Sequence, residues 1–288
     1  MKRPLRALAS VLVLLSPTIG LAADAPSGAG PMLLFNGRNL DGWDTLLGPI
    51  QRGGSPLGRN IDPRHVFTVV QEDAAPAIRV SGEVWGALVT RSEFENYQLH
   101  AQFKWGTRKW PPRENSVRDS GILYHCVGEP DPRTGWMRSF ECQIEEQDCG
   151  DFWSVRGATA EVETRRMDTT EELRRQFEIW CRRNEGHYAP YAYWPGGTRL
   201  RIDKDGLMKS VDAEKVTGQW NDADIYCLGN KSIHVINGVT NMVLLELSQP
   251  DENQGLIPLT RGRIQLQSEG AEIFFRNLEL RALRPKQP

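Results

Sequence analysis

An antiparallel β-sandwich of the jelly-roll kind, all-β apart from one short helix and long loops, is the fold that this 288-residue sequence predicts. Short runs that alternate apolar and polar residues recur along most of the chain, as in half-buried strands. Turn-forming dipeptides separate these runs. They include Asp41-Gly42, Asp205-Gly206 and Asn237-Gly238.

The strands are predicted where these alternating runs are bounded by turn residues. Asn237-Gly238 lies between two apolar runs and is the strongest hairpin signal in the chain. The predicted strands are 66–70, 77–80, 87–90, 97–105, 122–126, 140–145, 198–202, 231–236, 242–247, 263–267 and 272–280.

One helix and one long loop interrupt the strands. Thr169 or Thr170 can cap a helix over 170–182. The stretch 106–118 carries prolines and charged residues without alternation, and we expect a loop insertion there, over the site. The apolar face of the helix consists of Leu173, Phe177 and Trp180.

The composition is that of an ordinary soluble globular protein, with 25% charged and 39% hydrophobic residues. The net charge of −2 argues against a nucleic-acid partner, since no basic stripe is present to neutralise phosphates. The spacing of the five cysteines matches no zinc-binding pattern, and their odd number means that at least one has no partner within the chain.

The N-terminus has the pattern of a secretory signal. Lys2, Arg3 and Arg6 precede an apolar run over 8–15 that is too short to span a membrane, and small residues follow at 22–25. We therefore expect a secreted or periplasmic protein with no membrane anchor in its mature form.

These boundaries give three segments. Residues 1–23 are the expected signal peptide, 24–31 a linker rich in Gly, Pro, Ala and Ser, and 32–284 one β-sandwich domain. Neither an internal repeat nor a second linker divides the domain.

Polar side chains share one face on each of three predicted strands. On 140–145, Glu141, Gln143 and Glu145 alternate with apolar residues that point the other way. Amides and carboxylates pair well with sugar hydroxyl groups, so we expect the three faces to form one sugar-binding groove. The other two sets are His100, Gln102 and Lys104, and Gln265, Gln267 and Glu269.

Five segments, in order along the chain, resemble those of the 3-keto-disaccharide hydrolase domain family. They are 34–43 (LFNGRNLDGW), 119–122 (DSGI), 141–144 (ECQI), 263–270 (RIQLQSEG) and 275–277 (FRN). The resemblance implies a concanavalin-like jelly roll. It also implies cleavage of glycosides whose sugar is already oxidised to a ketone at C3.

Such chemistry needs a base near C2, a group that stabilises the C3 oxygen, and an acid for the leaving group. Glu141 or His125 is the expected base, and Glu145 or Glu146 the expected acid. A divalent metal is possible as the electrophile, although no tight ligand spacing supports one and no cofactor is firmly implied. The expected substrate-binding residues are Lys104, Asp119, Tyr124, Gln143, Trp153, Gln267 and Glu269, of which Lys104 and Gln143 would hold the enolate oxygen.

Two alternatives remain at this point. Glu141, Gln143 and Glu146 are similar to the glutamate strand of jelly-roll β-glucanases, which would make the protein a conventional glycoside hydrolase. The other alternative is a carbohydrate-binding module without catalysis. In each case the expected partner is a small carbohydrate.

Overall fold

The computed structural model describes residues 30–51, 53–183, 190–253 and 255–284. The predicted signal peptide (1–23) and residues 24–29 of the predicted linker (24–31) lie outside these residues. Among the helices of the described residues, none has the length and apolar character needed to cross a membrane.

The described residues form a nearly all-β structure with one helix. In chain order the elements are β1 (Met32–Leu33), β2 (Trp43–Leu47), β3 (Gly58–Arg59), β4 (Phe67–Glu72), β5 (Ala75–Val80), β6 (Gly86–Thr90), β7 (Phe94–Glu95), β8 (Tyr97–Lys109), β9 (Asp119–Val127), β10 (Arg138–Glu145), β11 (Phe152–Val155), β12 (Thr159–Arg166), α1 (Glu171–Arg183), β13 (Tyr191–Tyr193), β14 (Thr198–Ile202), β15 (Gly206–Leu207), β16 (Asn221–Leu228), β17 (Lys231–Ile236), β18 (Val239–Pro250), β19 (Leu256–Pro258), β20 (Arg261–Ser268) and β21 (Ala271–Ala282).

The strands pair antiparallel in two sheets, which confirms the predicted sandwich. The first sheet has the order β13-β12-β18-β17-β16-β8-β21-β5-β4, and the second has the order β15-β11-β10-β9-β20-β6-β2-β3. One hydrophobic core contains fully buried residues of both sheets, among them Phe103 and Ile225 from the first and Ile122 and Phe140 from the second.

Alternation along β10 determines which of its side chains face the core and which face outward. Phe140, Cys142 and Ile144 are fully buried in the core between the sheets. Because successive side chains of a strand point to opposite faces, Glu141 and Gln143 lie on the outer face. These two side chains are nevertheless only 6% and 5% exposed, since loops cover this part of the sheet.

The predicted hairpin and helix are both present. Asn237 and Gly238 have φ angles of 49° and 78°, as a type I′ turn between β17 and β18 requires. In α1 the backbone N–H of Leu173 donates to Thr170 Oγ1 at 3.2 Å, an N-cap contact. Trp180, on the predicted apolar face of the helix, is 1% exposed.

Three expectations need correction. Strand β8 belongs to the first sheet, so its polar residues His100, Gln102 and Lys104 lie on the opposite side of the sandwich from Glu141. The strand also continues to Lys109, so the long loop covers 110–118 rather than 106–118. Strands β12 and β16 were not predicted.

All five cysteines are free of disulfide bonds.

Candidate active site

Three neighbouring strands of the second sheet carry the polar residues of a cavity. In the pairing of β10 with β9, Glu145 is opposite Asp119 and Gln143 is opposite Gly121. Strand β20 pairs with the other edge of β9 and brings Gln267 beside the same segment. The predicted polar faces of β10 and β20 therefore meet across β9.

Gly121 lies directly beneath two of the side chains that line this cavity. A Cβ atom at this position would lie 2.1 Å from Glu141 Oε1 and 2.4 Å from Gln267 Oε1. Only a residue without a side chain lets the carboxylate of Glu141 and the amide of Gln267 approach each other here.

The loop 110–118 covers one end of the cavity. Trp110 anchors it, since its backbone N–H donates to Gly270 O at 2.8 Å and its indole N–H donates to Ser81 O at 2.9 Å. Lys109 Nζ donates to Ser116 O at 2.7 Å and closes the loop from the other side. The loop thereby holds Arg113 over the sheet.

The Arg113 guanidinium contacts the carboxyl groups of three acidic residues at this end. Its Nη1 lies 2.6 Å from Asp119 Oδ2 and 2.9 Å from Glu269 Oε1, and its Nη2 lies 3.3 Å from Glu145 Oε1. Together with Glu141, four buried carboxyl groups share the neighbourhood of one guanidinium. Ionising all of them would leave a large uncompensated negative charge in a buried place.

The pKa values of three of these acids are raised, because ionising them in this buried place is unfavourable. Burial raises the pKa of Glu145 to about 10, and nearby Asp119 and Asp148 add to the shift despite the contact with Arg113. Burial, with Asp119, also raises the pKa values of Glu141 and Glu269 well above their usual range. Glu145 is therefore neutral at pH 7, and burial favours the neutral forms of Glu141 and Glu269 as well. A protonated carboxyl group donates a hydrogen bond as well as accepting them.

A buried ion cluster supports the turn after β10. Lys209 Nζ lies 3.5 Å from Asp148 Oδ1 and 3.6 Å from Asp151 Oδ1. Trp180 of α1 donates its indole N–H to Asp151 Oδ2 at 2.6 Å, and the backbone N–H of Asp148 donates to Glu145 O at 2.8 Å. The helix is thus tied to the segment that positions Glu145.

The cavity itself has a volume of about 150 Å³. Two partly exposed tryptophans, Trp136 and Trp153, form part of its walls. Trp153 is directly opposite Glu141 in the pairing of β11 with β10. The lining residues are Arg113, Asp119, Trp136, Glu141, Gln143, Trp153, Gln267 and Glu269.

Most of the residues proposed from sequence lie in this cavity or touch it. Glu145 contacts it through Arg113. The six predicted residues that line it are Asp119, Glu141, Gln143, Trp153, Gln267 and Glu269.

Tyr124 and His125 lie in the core instead. The Tyr124 hydroxyl contacts Ser232 Oγ at 2.6 Å and His234 Nε2 at 2.9 Å. His125 Nδ1 donates to Leu259 O at 3.1 Å, and burial lowers the pKa of His125 to about 4. A backbone φ of 52° at His125 interrupts the alternation of β9 and turns this side chain inward, so the structure does not bring it to the cavity.

Lys104 and Glu146 are also outside the cavity. Lys104 lies on the first sheet, where it is ion-paired with Glu72 and Asp73. Glu146 follows the last residue of β10 and pairs with Arg118 at 2.7 Å. Neither side chain is available to a substrate bound above Gly121.

Sequence reasoning missed Arg113 and Trp136. Both lie in connecting segments, where no periodicity shows which way a side chain points. The available signal was their position. Arg113 is inside the predicted loop insertion, and Trp136 lies between 119–122 and 141–144, two of the five segments that carry the resemblance.

The acidic residues of the site do not form a metal centre. In the part of the chain that the structure describes, no group of three or more His, Cys, Asp and Glu side chains is arranged to hold a metal ion. Asp119, Glu145 and Glu269 are directed to the Arg113 guanidinium instead.

Solved structures with related folds include a protein named as a candidate glycosyl hydrolase from Parabacteroides distasonis. It is 18% identical with a TM-score of 0.50, and the match covers 88% of this chain and 94% of that one. A β-glucanase from Bacillus licheniformis is 11% identical with a TM-score of 0.42, covering 89% and 99%. A carbohydrate binding module from Bacillus subtilis is 7% identical with a TM-score of 0.41, covering 84% and 96%.

No curated protein sequence matches the chain. The model of one protein family does match, over residues 30–281, which is nearly the whole domain. The chain therefore belongs to the carbohydrate-active family described as the 3-keto-alpha-glucoside-1,2-lyase-like domain.

Proposed function

We propose that this protein cleaves the glycosidic bond of sugars that carry a ketone at C3. The observation that carries the proposal is the cavity above Gly121. It combines the carboxyl group of Glu141, which can act as a base when ionised, with the guanidinium of Arg113 and the carboxyl group of Glu269, whose pKa is raised by burial. Membership of the family supports the same chemistry.

Glu141 is the proposed base. A ketone at C3 acidifies the proton on C2, and the Glu141 carboxylate takes that proton while the C2–H electron pair forms an enolate with the C3 oxygen. Because burial raises the pKa of Glu141, its ionised form is a stronger base than an exposed glutamate. Trp153, opposite Glu141 on β11, provides a wall beside the reacting ring.

Arg113 and its neutral partners are the proposed groups at the C3 oxygen. The guanidinium stabilises the developing negative charge, and the carboxyl of Glu269, whose pKa is raised by burial, donates a hydrogen bond to the same oxygen when it is protonated. Glu145, expected from sequence to protonate the leaving group, lies at this end too, against Arg113 Nη2. Its role is then to keep Arg113 in place.

Collapse of the enolate forms the C1–C2 double bond and expels the C1 oxygen. Asp119 and Glu269 are engaged with Arg113, so Glu141 is the carboxyl placed to return the abstracted proton to the departing oxygen. The products are an alcohol and an unsaturated keto sugar. Addition of water across the new double bond gives the free 3-keto sugar, so the net reaction is hydrolysis.

A conventional glycosidase of the β-glucanase type receives less support from the geometry. That mechanism assigns Glu141 and Glu146 as the two catalytic carboxyl groups. Glu146 instead pairs with Arg118 and accepts a hydrogen bond from Thr217 at 2.9 Å, outside the cavity. The non-catalytic binding module has no specific observation in its favour.

The test compares a glycoside oxidised at C3 with the same glycoside unoxidised, using the purified mature chain. We expect release of the leaving group from the keto form alone, and incorporation of one solvent deuterium at C2 during hydration in D₂O. Equal cleavage of the unoxidised glycoside would favour the conventional glycosidase. Binding of both forms with turnover of neither would identify a binding module.

We also propose that the mature protein is exported. The basic start and the apolar run over 8–15 support this. Fractionation of cells that express the full chain tests it, since an exported protein leaves the cytoplasm and loses about its first 23 residues.

A further inference from the structure

Trp136 packs against a second indole. The ring centroids of Trp85 and Trp136 are 5.6 Å apart and their planes differ by 16°, a stacked arrangement. Both side chains are partly exposed, and Trp136 lines the cavity. The mechanism proposed above does not use this pair.

The segment that carries Trp136 is held firmly against the sheet. Gln265 accepts a hydrogen bond from Met137 N and donates one to Gly135 O, each at 3.0 Å. The indole N–H of Trp136 donates to Gly86 O at 3.2 Å. Trp136 also packs on a small apolar cluster separate from the main core, made of Leu46, Val89, Leu123, Cys126 and Met137. The indole plane is therefore fixed before any ligand binds.

The functional groups follow one order along β9. The guanidinium of Arg113 contacts Asp119, and the carboxylate of Glu141 lies over Gly121. Further along the strand, Trp136 packs against the cluster that contains Leu123. From residue 119 to residue 123 a strand advances about 13 Å. In the proposed reaction the ketone at C3, the proton on C2 and the leaving group on C1 also follow one another. With the ketone at Arg113, the leaving group points toward Trp136.

The cavity is too small for two sugar rings. Its volume is about 150 Å³, whereas sites for drug-sized ligands occupy roughly 300–1,000 Å³. The reacting ring fills it, and any second ring rests outside on the rim, where the stacked indoles offer a flat apolar surface.

We propose that Trp136, backed by Trp85, is the binding platform for the leaving group. This inference rests on the proposed function. It makes the preferred substrates 3-keto-glycosides whose leaving group is itself a ring with an apolar face, as in a disaccharide or an aryl glycoside. A leaving group without a ring gains nothing from this surface.

The test measures kcat/KM for three 3-keto-glucosides of one anomeric form, with a methyl, a phenyl or a second glucose as leaving group. For Trp136→Leu we expect about a tenfold loss on the two ring-bearing substrates, the size of one lost stacking contact, and less than a threefold loss on the methyl glycoside. Trp136→Phe keeps a flat ring and retains most of the activity. A loss on only one ring-bearing substrate shows which ring type the platform accepts.

Two further variants serve as comparisons. Trp153→Leu, beside the base, lowers all three rates together, and Trp194→Leu, on a distant surface over Arg165, changes none. An equal loss of activity on all three substrates in Trp136→Leu would show that the indole only supports its loop, and the platform would be wrong.

The proposed function and the platform are judged separately. If the wild-type protein cleaves no keto-glycoside, the proposed function is wrong. Calorimetric binding of a disaccharide and a monosaccharide then decides the platform. A preference for the disaccharide that disappears in Trp136→Leu supports it, and the same ratio in both proteins overturns it.

Discussion

The carboxylate of Glu141 and the side-chain amide of Gln267 converge from strands on either side of β9, over the bare backbone of Gly121. A Cβ at Gly121 would lie 2.1 Å from the one and 2.4 Å from the other. Hydrogen bonding from Gln267 partly opposes the burial that raises the pKa of Glu141. The position and the pKa of the Glu141 carboxyl group therefore depend on both Gly121 and Gln267.

Gly121→Ala tests whether Glu141 needs this position. The added methyl displaces both side chains, and a shift of about 1 Å at a catalytic group lowers activity on the order of 100-fold. We expect this loss in kcat/KM for a 3-keto-glucoside, while circular dichroism shows a folded protein. Gly30→Ala, where no atom lies within 4 Å of the new Cβ, is the matched control and keeps full activity. Normal activity in Gly121→Ala would mean that Glu141 does not need its present position.

Glu141→Gln removes the proposed base and keeps its shape. Loss of a general base lowers the rate by about 10²–10⁴-fold, so kcat should fall by that factor. Binding of the substrate should change little, because the amide still fills the site. The comparison variant is Glu146→Gln, which leaves kcat within about threefold because Glu146 pairs with Arg118 outside the cavity. Equal effects of the two changes would contradict the assignment.

Arg113 lines the cavity, whereas Lys104 lies on the opposite side of the sandwich. Arg113→Lys keeps the charge but loses the fork that spans Asp119, Glu145 and Glu269. We expect kcat/KM to fall about 10²-fold, the size typical of one lost donor to a developing oxyanion.

Lys104→Met is the comparison, since the sequence favoured Lys104 and the structure places it with Glu72 and Asp73 on the other sheet. Its steady-state kinetics should match the wild type. A large loss in Lys104→Met together with a small one in Arg113→Lys would restore the assignment made from sequence.

The contrast between these two cations shows what the sequence determines. Alternation in a strand fixes which side chains share a face, so Glu141 with Gln143 and Gln267 with Glu269 were identified correctly. Which strands become neighbours depends on pairing between distant segments. Strand β8 pairs with β16 and β21, far away in the sequence, and local patterns do not report that choice.

His125 shows a second limit. Regular alternation would put it on the same face as Gly121. A φ of 52° turns His125 inward instead, where its ring packs against Tyr97 and Tyr124. A bulge of this kind depends on tertiary packing, and the sequence contains no glycine or asparagine at that point to signal it.

Glu145 should reduce stability as the pH rises. Because its pKa is raised to about 10 in the folded protein, the folded state keeps a proton that the unfolded chain releases above about pH 4.5. The free energy of unfolding therefore falls with rising pH through this window.

Glu145→Gln removes that dependence, and we expect it to stabilise the protein at pH 8 by about 1–3 kcal/mol. At pH 4 the gain should be small, because the wild-type carboxyl is then protonated in both states. Urea unfolding at the two pH values measures the difference. The same pH slope in variant and wild type would show that Glu145 is ionised in the folded protein.

The same raised pKa values set the pH dependence of catalysis. Glu141 acts only when ionised, and its pKa lies well above that of an exposed glutamate, so kcat/KM should still be rising with pH well above pH 4.5. At higher pH, loss of the proton from Glu145, with its pKa of about 10, and from Glu269 places negative charge beside Arg113 and weakens its hold on the enolate. The profile should therefore be bell-shaped, with its rising limb displaced to higher pH than that of an ordinary glutamate. In Glu269→Gln the falling limb should move or flatten while the rising limb stays, because only the acid at the C3 oxygen has been replaced. An acidic optimum near pH 4–5 would mean that Glu141 ionises as an ordinary glutamate, and that a different group limits the reaction.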